Sequence, residues 1–160
     1  MDYLSPRPLD AHNAFILGQQ LARLHQWSDQ PQFGLDFDNA LSTTPQPNTW
    51  QRRWSTFFAE QRIGWQLELA AEKGITFGNI DAIVEHVQQR LASHQPQPSL
   101  LHGDLWSANC ALGPDGPYIF DPACYWQPIY QLYTLLNRAR LFGGQHLATA
   151  QKAMDRLLAV

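Results

Sequence analysis

The chain has 160 residues, 44% of them hydrophobic and 12% aromatic: enough for one domain with a single core, and too apolar for a disordered segment. Its formal net charge is -3 and its 11 Lys and Arg are scattered, so the basic footprint of a nucleic-acid or membrane-surface binder is missing. No apolar run approaches the roughly 20 residues of a membrane span, and Met1 to Pro6 does not read as a secretory leader.

In chain order, Pro6 and Pro8 keep the first segment extended. Asp10 then caps a predicted helix to about Gln26, whose Ala14, Leu17, Leu21 and Leu24 recur at spacings of three and four as one apolar stripe. His25 reads as a packed structural residue. Ser28 to Asn48, rich in Pro, Gly, Asp, Gln and Thr, reads as a long surface excursion in which Pro45 and Pro47 block helix. A second helix is predicted from Asn48 or Thr49 to about Glu72. Its Trp50, Trp54, Phe57, Phe58, Ile63, Trp65 and Leu69 fall at helical spacing and read as core rather than as a sugar-stacking platform. Lys73-Gly74 ends it. Asn79 caps a third helix with Ile80, Ile83, Val84, Val87 and Leu91 on one face, and Pro96 and Pro98 then deliver the chain to Leu100.

Leu100 to Asp121, LLHGDLWSANCALGPDGPYIFD, carries the chemistry. Cys110-Ala111-Leu112 and Tyr118-Ile119-Phe120 flank Gly113-Pro114-Asp115-Gly116, the pattern of two antiparallel strands joined by a tight turn. A hairpin here brings Asn109 close to Asp121. His102-Gly103-Asp104, with Asn109 five residues beyond Asp104 and Asp121 across the hairpin, matches the spacing of a phosphoryl-transfer loop, except that Gly103 stands where protein kinases carry Arg. Such transfer needs alignment and charge neutralisation more than covalent chemistry. Asp104 would orient the acceptor hydroxyl and take its proton. Asn109 and Asp121 would offer oxygens to Mg2+, and His102 would brace the loop.

Beyond Asp121, two helices are predicted at about Ile129 to Phe142 and about Gln145 to Leu158, with Gly143-Gly144 as the turn between them. Two cysteines, Cys110 and Cys124, are too few for a disulfide framework and read as buried, reduced thiols. The six His do not cluster at metal-ligand spacing. The compartment reads as cytoplasmic.

His102-Gly103-Asp104-Leu105-Trp106-Ser107-Ala108-Asn109, followed by Phe120-Asp121-Pro122-Ala123, resembles the ketosamine (fructosamine, ribulosamine) kinase family, within the set that includes aminoglycoside phosphotransferases and choline kinases. The resemblance extends to Arg138 to Gly144 and to Met1 to Leu4. It implies ATP and Mg2+ as cofactors and a small-molecule or protein-bound sugar-amine substrate. Asp2, Tyr3 and Leu4 would line the adenine end, as the close of the linker between two lobes.

Three departures from the family pattern stand out. The small lobe would have stood upstream of Met1 and is expected to be missing, which would leave an apolar face open to self-association. A Gly-x-x-Glu-x-Asp-Leu-Ala segment expected after about residue 126 is missing, Trp126 running straight into Gln127-Pro128. Ala108 replaces the usual Gly, a strained choice if its φ is positive and a harmless one if negative.

The expected fold is α+β and mainly α: the large C-terminal lobe of a protein-kinase-like fold with a small catalytic β-hairpin and no N-terminal lobe. Residues 1–160 form one domain, with 1–9 as linker remnant and 100–121 as catalytic loop and hairpin. Three functions fit: a ketosamine kinase, a catalytically dead or partner-binding lobe remnant, and a phosphotransferase for an aminoglycoside or choline-like alcohol.

Overall fold

The computed structural model describes residues 7–27, 29–120, 122, 125–126 and 131–158, with the backbone alone at 125–126 and 131–135. Elements follow in the order α1 (Ala11–Gln26), β1 (Asn39–Leu41), β2 (Thr44–Gln46), α2 (Trp54–Phe58), a π-helical segment (Ala59–Gly64), α3 (Trp65–Ala71), α4 (Ile80–Arg90), β3 (Leu100–Leu101), β4 (Cys110–Gly113), β5 (Gly116–Ile119), β6 (Tyr125–Trp126), α5 (Gln131–Phe142) and α6 (Gly144–Leu158). Three antiparallel strand pairs, β1-β2, β3-β6 and β4-β5, accompany the helices. The mixture is mainly helical with small sheets, as expected.

Both predicted caps form. Asp10 accepts from the Asn13 N–H at 2.7 Å and Asn79 from the Ala82 N–H at 2.9 Å, each satisfying a donor the helix leaves open. α2, the π segment and α3 run on without a break. Three of the expected aromatics are core: Trp54, Phe57 and Phe58 are all but inaccessible, with ring centroids 5.2 Å apart for Trp54–Phe58 and 5.3 Å for Phe33–Trp54, while Trp50 and Trp65 are half-buried outside that cluster. Ile83 and Val87 of α4, Leu136 and Ala139 of α5, and Ala150 and Met154 of α6 close the same cluster. His86 and Arg90 of α4 both donate to the Leu157 carbonyl, at 3.0 and 3.3 Å, satisfying an acceptor at the end of α6.

Three expectations need correction. Within the stretch expected to be a surface excursion, residues 39–48 are not one. They fold back as the β1-β2 hairpin, with Leu41, Thr44, Gln46 and Asn48 buried, and the polar ones survive burial because they are hydrogen-bonded. Arg62, fully buried in the π segment, donates to the Pro47 carbonyl at 2.6 Å and to Asn48 Oδ1 at 2.5 Å, and its guanidinium lies 4.5 Å from the Phe57 ring. Thr44 donates to Asn137 Oδ1 at 2.8 Å, and Arg140 donates to both, tying the hairpin to α5.

The second helix also starts later than expected, at Trp54. Gln51 is still extended, exchanging both backbone hydrogen bonds with Phe33 at 2.8 Å, and Asn48 serves the loop network. The stripe of α1, finally, is only partly covered. Leu17 is buried, Leu21 and Leu24 are half-buried and Ala14 is exposed, because α1 lies against β3 and β5 rather than in the helical core.

Candidate active site

The hairpin β4-β5 forms as read, in the register Cys110↔Ile119, Ala111↔Tyr118, Leu112↔Pro117 and Gly113↔Gly116. Its loop is the two residues Pro114-Asp115. Gly113 is required here by close approach: a Cβ would sit 2.4 Å from the Tyr118 ring. The Tyr118 hydroxyl donates to Asp115 at 3.1 Å, and that hydrogen bond, which only the protonated phenol can make, raises its pKa above the ordinary value. On the outer side of β4, Arg7 and Leu112 exchange backbone hydrogen bonds at 3.1 and 2.8 Å, so the chain entering α1 is laid along the hairpin.

Pairing continues one step past the strands. The Phe120 N–H donates to the Asn109 carbonyl at 3.1 Å, so the residue ending the His102–Asn109 loop faces the residue immediately before Asp121. Phe120 is gripped on its other side too. His102, 4% exposed, points Nε2 at the Phe120 carbonyl at 2.8 Å. A carbonyl only accepts, so Nε2 carries the proton, and Nδ1 offers its lone pair to the Asp104 N–H at 3.4 Å. His102 thus braces the loop against the end of β5.

Gly103, between them, has φ +83, a conformation that Arg, the kinase residue at this place, would adopt only with strain. Ala108 is not among the positive-φ residues, so its methyl group carries no such cost.

Asn109, buried, donates from Nδ2 to the Asp104 carbonyl at 2.8 Å and toward Asp104 Oδ2 at 3.4 Å. Its amide nitrogen is therefore committed to the loop, which leaves Oδ1 as the atom for a hard cation. That donor chemistry fits the Mg2+ expectation at Asn109. Asp104 is half-buried at the loop's mouth, and Leu105, Trp106 and Phe120 are exposed around it, 41%, 52% and 42% respectively.

Asp104 and Asn109 are therefore brought together. Asp121, the other expected metal ligand, lies outside the described residues, as do Asp2, Tyr3 and Leu4 of the expected adenine contact and Cys124. Cys110 is half-exposed rather than buried. Its thiol points at the Trp106 carbonyl at 3.5 Å, at the foot of the loop. Two contributors escaped the sequence reading: Arg7, whose extended setting between two prolines was the available signal, and Phe120, whose part is played by backbone atoms that leave none.

A half-buried carboxylate thus stands two residues after a buried, loop-bracing histidine, with an asparagine clasped to it at the start of a hairpin, an arrangement that fits the spacing expected of a phosphotransferase loop. Comparison with known proteins narrows this. The family model described as Fructosamine kinase matches residues 1–128 and 127–160, and the chain belongs to that family of kinases.

A protein named "Probable ketoamine kinase YniA" from Escherichia coli (strain K12) is 75% identical over 196 aligned residues, covering 99% of this chain and 68% of that protein. A counterpart from Vibrio vulnificus, also named a ketoamine kinase, is 44% identical over the same span. A crystal structure assigned as a fructosamine-3-kinase of Haemophilus somnus 129PT superposes with a TM-score of 0.91 at 34% identity, covering 99% of this chain and 67% of that one.

An alignment of 196 positions contains at least 36 that a 160-residue chain cannot fill. The family match falls into two stretches that meet at 127–128.

Proposed function

We propose that the chain transfers the γ-phosphoryl group of ATP, with Mg2+, to a hydroxyl of a ketoamine, the adduct of a sugar and an amine, free or protein-bound. Asp104 is the acceptor's base. As the substrate oxygen bonds to the γ-phosphorus, the bond from that phosphorus to the β,γ-bridging oxygen breaks, ADP leaves, and the hydroxyl proton passes to the Asp104 carboxylate. Asn109 Oδ1 and Asp121 are the oxygens that would hold Mg2+, whose charge offsets that of the phosphates. Asp2 to Leu4 would meet the adenine. The exposed rings of Trp106 and Phe120 suit the apolar faces of a sugar beside Asp104.

The observation that carries this reading is the clasp of Asn109 on Asp104, made while the Asn109 carbonyl pairs with the residue before Asp121. It supports one pocket for base and cation. The reading takes residues 1–160 as one kinase-like large lobe and, with ATP as donor and a thiol left free, the cytoplasm as its compartment.

A second reading rests on the interrupted family match: the chain retains the loop but lacks a segment its relatives use, and has become a remnant without turnover. The purified chain with ATP, Mg2+ and a fructosamine decides. Transfer that disappears in Asp104→Ala, at an unchanged melting temperature, supports the kinase. A base worth about 10²- to 10⁴-fold sets the expected loss. A folded chain with neither transfer nor nucleotide binding makes it a remnant. Faster transfer to an aminoglycoside or choline than to fructosamine would move the acceptor class instead.

A further inference from the structure

We draw no further inference here: the strongest candidate, the fully buried Gln66 side chain of α3, whose amide nitrogen and oxygen have no hydrogen-bond partner, carries no proposal because nothing among the described residues shows what would meet it.

Discussion

Every member of the large apolar cluster, from Phe33 and Leu41 through Trp54, Phe57, Ile83 and Val87 to Leu136 and Met154, comes from the β1-β2 hairpin, its flanks and α2 to α6. α1 and residues 100–120 contribute none. In the half that carries the Asp104 loop Leu17, Leu101 and Ala111 are buried, but they are few, and the loop is held instead by the bonds of His102, Asn109 and Phe120. One half gains its order from area removed from water, the other from directed polar contacts. The first responds to lost volume, and the second to the loss of a single donor. A loop kept in place by local bonds can hold its geometry without sharing in the packing of the core.

The largest effect is expected from Phe57→Ala. The ring is wholly buried and lies between Trp54, Phe33 and the Arg62 guanidinium, so its removal should cost about 3–5 kcal/mol of unfolding free energy in urea. The comparison makes a second demand. Amide exchange at Asn109 and Phe120, governed by local opening, should stay as it was while core amides exchange faster. Equal acceleration at both sets would show that the halves open together.

An intermediate effect is expected from His102→Gln. The substitution removes a bond across the loop and loosens another, worth about 1–3 kcal/mol where a buried carbonyl is left wanting. That corresponds to roughly tenfold to hundredfold faster exchange of the Phe120 amide, at about 1.4 kcal/mol per factor of ten. Phosphoryl transfer should fall by a similar factor, since Asp104 loses its anchor. The urea midpoint should hardly move. A shift comparable to that of Phe57→Ala would mean that the loop supports the core after all.

The same division decides what the sequence could reveal. The β4-β5 hairpin was legible because turn chemistry is local: Gly113 and Gly116 bracket Pro114-Asp115, and the strands follow. Helix caps at Asp10 and Asn79 were legible for the same reason. The β1-β2 hairpin was not. Thr44, Gln46 and Asn48 look like surface residues until Asn39 across the hairpin, and Arg62 and Asn137 further along the chain, supply their partners, and composition says nothing about such partners. The π segment likewise has no local signature. It is the turn on which Arg62 meets that loop.

The smallest effect belongs to α1, whose cover is thinnest, and it is read by pH. The Asp10 carboxyl titrates below its ordinary 3.8 because the Asn13 backbone and side-chain N–H groups bond its charged form. A group whose folded pKa is lowered stabilises the fold above the unfolded value and loses that contribution as pH falls through the folded one. Protection of the Asn13 amide should therefore hold at neutral pH and fade as pH drops below about 3.8, the unfolded carboxyl's value. Asp10→Asn caps without titrating, so its Asn13 amide should remain protected through that range, whereas Asp10→Ala should lack protection at every pH. In all three proteins the Phe57 cluster should unfold at the same urea concentration. A common midpoint with different α1 exchange would confirm that this helix is ordered by its own cap, and a midpoint that follows the cap would bind α1 to the core.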